Sequence, residues 1–149
     1  MPTGPKNLVY QAAEILRKNC GITKGVTIKI KKCIPVAAGL GGGSSNAATA
    51  LLGLNQIWDI NLSKKQLLFY AARIGSDVSF FLYDCPWALG TGRGERIKEL
   101  DINTQLWHIL VVPRVKVYTW KVYANVKIES GADTQRYLDN AMIPVRATG

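Results

Sequence analysis

The stretch Pro35-Val-Ala-Ala-Gly-Leu-Gly-Gly-Gly-Ser-Ser-Asn-Ala-Ala48 constrains this chain more than any other feature. Gly39, Gly41, Gly42 and Gly43 let the backbone take positive φ and approach a ligand closely. Ser44 and Ser45 bring hydroxyls and can cap the helix that follows. Successive backbone N–H groups of such a loop converge at the positive end of a helix dipole, where an anion is favoured. Ala47 and Ala48 keep the first helical turn uncrowded. These are the requirements for cradling a di- or triphosphate. A Walker A loop needs a lysine in Gly-x4-Gly-Lys-Ser/Thr, and this loop has none; a dinucleotide fingerprint needs a third glycine where Ser44 stands. A flexible linker would not be bracketed by a strand just before and an apolar helix just after.

Local signals on either side predict an α+β chain. Asn7 can cap a helix from Leu8 towards Cys20, with Leu8, Ala12, Ile15 and Leu16 on one face and Gly21 as its stop. Val26-Thr-Ile-Lys-Ile-Lys31 alternates apolar and polar residues, the pattern of a half-buried strand. Ser45 to about Trp58 reads as a helix packed on most faces, and Ser63-Lys-Lys-Gln66 has capping-box form and opens another to about Ile74. Gly75-Ser-Asp77 supplies turn and cap residues before an apolar stretch. Gly90-Thr-Gly-Arg-Gly94 is a turn between strands expected at 86–89 and 95–100. Leu106–Val112 reads as a buried strand, and Thr119 can cap a short helix from Trp120 to about Val126.

The totals exclude several classes. No apolar run reaches the roughly 18–20 residues that cross a bilayer, and the opening residues lack the apolar core of a signal peptide. Cys20, Cys33 and Cys85 are odd in number with no Cys-x-x-Cys pair, so reduced, partly buried thiols are expected rather than disulfides or a zinc site. His108 lies inside an apolar run and reads as a strand residue, not a catalyst. Trp58, Trp87, Trp107 and Trp120 read as core or lining residues. The net charge is +9, which favours polyanionic partners. The basic residues are spread out, and the one local group, Lys29-x-Lys31-Lys32, has no interleaved aromatics to stack on bases. Nucleotides or phosphorylated metabolites fit this charge as well as nucleic acid does, so charge alone does not choose between them.

The loop Pro35-x3-Gly39-Leu-Gly-Gly-Gly-Ser-Ser-Asn-Ala-Ala48 resembles the ATP loop of the GHMP kinases, which include galactokinase and the homoserine, mevalonate and phosphomevalonate kinases. Most members carry a shorter Gly-Leu-Gly-Ser-Ser form. The extra glycines and the Ser-Asn-Ala-Ala ending are similar to one branch, which transfers the ATP γ-phosphate to a hydroxyl of a cytidine diphosphate sugar alcohol in non-mevalonate isoprenoid synthesis. Asn7-Leu-Val-Tyr-Gln-Ala-Ala13 resembles the helix that branch places ahead of the loop. Gly75-Ser-Asp77-Val-Ser-Phe-Phe81 resembles its Gly-Ala-Asp-Val-Pro-Phe-Phe signature, and Gly90-Thr-Gly-Arg-Gly-Glu95 its Gly-x-Gly-x-Gly-Glu turn.

The resemblance implies a GHMP-type fold, with helices on a mixed or antiparallel sheet, using ATP and Mg²⁺. Its ATP-binding domain would span 1–126 without its first strands. Residues 127–149 would start a second domain or form a tail. It implies that Pro35, Val36, Ala37, Ala38, Gly39, Leu40, Gly41, Gly42, Gly43, Ser44 and Ser45 hold the ATP phosphates, with Ser44 or Ser45 touching the metal. Asp77 would be catalytic, activating the substrate hydroxyl; read locally, it is also a plain helix cap. Asn46 can bond a phosphate or its own helix. Thr119 and Tyr123 would lie near the cytidine base, although Tyr123 equally suits a helix-face core position. The partner is then a small molecule, not nucleic acid or a membrane, and the location cytoplasmic, or plastid stroma in a plastid-bearing source. Members run to about twice this length. The Pro-Ala-Lys-x-Asn segment, whose lysine works beside the aspartate, and a second glycine-rich signature have no counterpart here. Little activity from these residues alone, and exposed strand edges, are therefore expected. The competing readings are another GHMP kinase, of homoserine or mevalonate type, and a non-catalytic nucleotide- or RNA-binding module.

Overall fold

A computed structural model describes residues 3–36, 38–112 and 124–125. The chain divides into two compact units, Met1–Lys116 and Val117–Gly149, and every helix and strand named below lies in the first. Helix α1 (Leu8–Asn19) starts where Asn7 accepts a 2.9 Å hydrogen bond from the Val9 N–H. It stops where Gly21 turns left-handed at φ +64° and the Ile22 N–H reaches back to the Arg17 carbonyl at 3.0 Å; only glycine takes that φ freely.

Helix α2 (Gly42–Ile57) begins inside the glycine triplet, three residues before the expected start at Ser45. Its cap is Gly41, not Ser44 or Ser45, which sit in the first turn instead. Helix α3 (Lys64–Ile74) opens on a complete capping box between Ser63 and Gln66. Ser63→Ala removes the acceptor for the Gln66 N–H and is expected to cost about 1 kcal/mol. Thermal unfolding should show the loss, and Ser63→Asp should restore most of it.

The three helices pack on one another. Leu16, Ala47, Ala48, Leu51 and Ala71 are wholly buried between them, and Trp58 closes one end. The alanines let α1 and α2 approach closely, so few bulky side chains make a continuous core that also takes in Val78 and Leu82. The sheet among the described residues is one antiparallel hairpin, β1 (Ala88–Thr91) and β2 (Arg96–Glu99), with Ala88 opposite Glu99 and Thr91 opposite Arg96. It lies about two residues later on its first strand than expected, because Gly90 is paired and Gly92 and Gly94 make the turn.

Two expected strands are not formed. Val26–Lys31 is extended but pairs with nothing among the described residues, and Val26 and Ile28 stay exposed. Leu106–Val112, expected to be a buried strand, is unpaired among the described residues, with Trp107 88% and Ile109 95% exposed. Alternation and apolarity mark which residues could form a strand, but a strand exists only where a ladder partner satisfies its backbone. Trp107 is correspondingly neither core nor lining, and His108 belongs to no strand. The cysteines are all free; Cys33 is exposed, Cys20 and Cys85 half-buried. The helix expected at 120–126 lies outside the described residues apart from Ala124 and Asn125.

Candidate functional site

Two segments meet at the N-terminus of α2, and a third touches the second. The first is the loop itself. Gly39 and Gly41 hold φ of +72° and +63°, conformations that cost a residue with a Cβ about 1–2 kcal/mol. Gly42 and Gly43 are helical, so the expectation of positive φ at all four glycines is corrected. Gly42 is glycine for another reason: a Cβ there would lie 2.9 Å from Ile34 Cγ2 and 3.0 Å from Lys32 Nζ. Gly43 has room, with Leu8 Cδ1 at 3.6 Å. The first intrahelical bond runs from the Ser45 N–H to the Gly41 carbonyl at 2.9 Å. The N–H groups of Gly42, Gly43 and Ser44 precede it and have no partner within the helix, which leaves them for an anion at the positive end of a sixteen-residue helix.

The second segment carries Asp77. Two consecutive 3₁₀ turns, Ser76–Val78 and Phe80–Leu82, pack against α2 and α3. Val78 and Ser79 are completely buried and anchor the turns, while Asp77, in the first turn just ahead of them, is exposed. Its carboxylate makes no hydrogen bond or ion pair among the described residues. The Phe81 ring reaches the loop, with Cζ 2.9 Å from where a Cβ on Gly41 would sit. The Ser79 hydroxyl is buried without a hydrogen-bond partner. Its φ of −59° suits the proline that stands here in the similar signature, so this position needs shape more than polarity.

The third segment is the hairpin tip. A Cβ on Gly94 would lie 3.8 Å from Ser76 Cβ, next to Asp77. The turn's own amides, those of Glu95 and Arg93, hold the Glu95 carboxyl below the usual carboxylate range. The Arg93 N–H donates to it at 2.8 Å.

In the sequence Lys32 stands out only as the last member of the basic group Lys29-x-Lys31-Lys32, just past the expected strand. Its ammonium donates to the Gly42 carbonyl at 2.7 Å, which puts a cation beside the loop that contains no lysine. The dipole at a helix N-terminus disfavours a cation; an anion held by the free amides would reverse that. Pro35, Val36, Ala38, Gly39 and Leu40 line the approach to the helix, and Ala37 lies outside the described residues. Ser44 and Ser45 are half-buried in the first turn with no hydrogen bond from either hydroxyl among the described residues. Thr119 and Tyr123 lie outside the described residues. No group of three His, Cys, Asp or Glu side chains that could hold a metal occurs among the described residues, and no helix there is long and apolar enough to cross a membrane.

Residues 7–85, which include the loop and the Asp77 turn, match the GHMP kinases N terminal domain. The chain belongs to the GHMP kinase family, a family of enzymes that use ATP as phosphoryl donor. Among its relatives, the 4-diphosphocytidyl-2-C-methyl-D-erythritol kinase of Bacillus anthracis is 48% identical over 128 residues, covering 86% of this chain and 44% of the relative. The enzyme of that name from Bacillus subtilis (strain 168) is 48% identical over 129 residues, 87% of this chain and 44% of its own. A crystal structure of 4-(cytidine 5'-diphospho)-2C-methyl-D-erythritol kinase superposes with a TM-score of 0.59 at 42% identity, over 67% of this chain and 36% of that one. The chain spans a little under half the length of the relatives it matches.

Proposed function

We propose that the chain carries the ATP-binding part of a kinase that phosphorylates a hydroxyl of 4-diphosphocytidyl-2-C-methyl-D-erythritol, in the non-mevalonate route to isoprenoids. The supporting observation is the N-terminus of α2, where three unpaired amides, two left-handed glycines and the Lys32 ammonium meet at the matched family loop. The names of relatives at 45–48% identity support this substrate over a homoserine or mevalonate one.

In this reading the loop amides bind the β- and γ-phosphates, and Lys32 adds a positive charge beside them. Asp77 accepts the proton of the attacking hydroxyl as its oxygen bonds to the γ-phosphorus. The bond from the γ-phosphorus to the β,γ-bridging oxygen breaks, and ADP leaves. Phosphoryl transfer depends mainly on positioning and charge stabilisation, so one exposed carboxylate beside an anion-binding helix end is adequate machinery. The described residues build no cage for Mg²⁺. The ion commonly binds through one or two carboxylates and the phosphates themselves, so it would come with the nucleotide, with Ser44 or Ser45 in reach. Thr119 and Tyr123 are assigned to the cytidine base from the family resemblance alone.

Asp77→Asn should leave ATP affinity within about threefold, because the carboxylate is not a phosphate ligand. It should lower phosphoryl transfer to the cytidyl alcohol by about 10²–10⁴-fold. Calorimetric titration and a single-turnover assay separate the two effects; unchanged transfer in Asp77→Asn would remove Asp77 from the mechanism. Because these 149 residues correspond to under half of each relative, they are proposed to bind ATP more readily than they turn it over. Robust phosphorylation by the purified chain contradicts that.

A further inference from the structure

We infer that Phe81 is a positioning residue that fixes the Asp77 turn relative to the phosphate loop. The inference rests on the roles proposed above for both segments. Its ring edge lies against the α-carbon of Gly41, with Cζ at 2.9 Å and Cε2 at 3.1 Å from the site of a Cβ. Gly41 is the residue whose left-handed φ starts α2, so the ring bears on the point where loop becomes helix.

At its other end the ring belongs to a unit that cannot move piecemeal. Asp77 is four residues earlier, in the first of the two back-to-back 3₁₀ turns. Each turn is closed by its own hydrogen bond, the first from the Val78 N–H to the Gly75 carbonyl at 3.1 Å and the second from the Leu82 N–H to the Ser79 carbonyl at 3.2 Å, and only Ser79 separates them. Val78 and Ser79 are completely buried. The Phe80 ring braces Phe81 edge-on, with centroids 5.2 Å apart and planes at 77°. A displacement of Gly41 therefore pushes on Phe81, and through it on the turn that carries Asp77. Glycine at 41 meets two requirements together: the backbone conformation, and a seat for the ring. Well-packed interiors transmit such displacements because they have no slack.

A cycle of Gly41→Ala and Phe81→Leu tests this, read from the backbone amide resonances of the ¹⁵N-labelled 149-residue chain. Gly41→Ala drives a methyl into the ring and should shift the Asp77 amide. In the Phe81→Leu background the same substitution should shift Asp77 at least about threefold less, a non-additive result expected only of residues in contact or sharing a packed neighbour. A Val9→Ala background, a packing loss at a buried residue outside the cluster that holds Val78 and Leu82, should keep the full response, which separates positioning from general loss of packing. Equal Asp77 shifts in both backgrounds, or none in either, overturn the inference without any ligand present. Added ATP provides the second arm: it should shift Gly41–Ser45 and Asp77 in the parent chain, but only Gly41–Ser45 in Phe81→Leu. Asp77 responding to ATP as strongly in Phe81→Leu as in the parent also overturns it. No ATP response at Gly41–Ser45 in the parent counts against the nucleotide reading instead, and the ligand-free cycle still decides the coupling.

Discussion

Replacing Gly42 with valine should abolish measurable ATP binding, a loss of at least about 30-fold in affinity, or 2 kcal/mol. The reason is steric and local. A Cβ at position 42 meets the Ile34 side chain at 2.9 Å and 3.1 Å and the Lys32 ammonium at 3.0 Å. The lysine tip can swing away; the branched Cβ of Ile34 cannot without moving the segment that leads into the loop. Either that segment lifts or the first turn of α2 unwinds, and both scatter the amides of Gly42, Gly43 and Ser44. Overpacking of this kind costs about 1–3 kcal/mol of stability, so the remaining helices should persist by circular dichroism. Gly43→Ala is the contrasting variant. Its methyl has ordinary contact distance to Leu8, and alanine in a helix is about 0.5–1 kcal/mol better than glycine. Its melting temperature should rise slightly.

The largest loss of stability is expected from Leu51→Ala. Leu51 is wholly buried at the middle of α2, in the cluster that joins α1, α2 and the Asp77 turns. Truncation leaves a cavity and should cost about 2–5 kcal/mol. A domain of this size has only about 5–15 kcal/mol to lose, so thermal unfolding should move down by roughly 10 °C or more. Leu52, the next residue on the same helix, is 46% exposed. Leu52→Ala should change stability by no more than about 0.5 kcal/mol. The pair tests whether α2 buries the face that carries Leu51 and leaves Leu52 open, rather than packing on most of its faces.

What could be read from the sequence was local. Asn7, Gly21 and the Ser63–Gln66 box act within one helical turn, and α1 and α3 begin and end where those residues place them. The glycine loop was legible as a family feature because its run of glycines and small residues has few other uses, and it lies within the residues that match the family. The start of α2 was not, since three glycines argue against a helix; here it is held by packing of Lys32, Ile34 and Phe81 on residues 41 and 42. Those partners are 8 to 40 residues away, and no local signal points to them. The same reason explains Val26–Lys31 and Leu106–Val112, whose composition suits strands while the described residues offer no ladder partner. Leu106–Val112 also lacks Lys, Arg, Asp, Glu and Pro, the composition of a segment prone to pair with other chains when its backbone is open.

If the α2 loop binds the phosphates of ATP, titrating ATP into the ¹⁵N-labelled 149-residue chain should move the amides of Gly41 to Ser45. Saturable shifts are expected there, displaced by inorganic tripolyphosphate and absent in Gly42→Val. Phosphate binding by the loop is contradicted if ATP leaves those amides unmoved, or if the chain instead binds RNA in a salt-sensitive way that survives both Gly42→Val and Asp77→Asn.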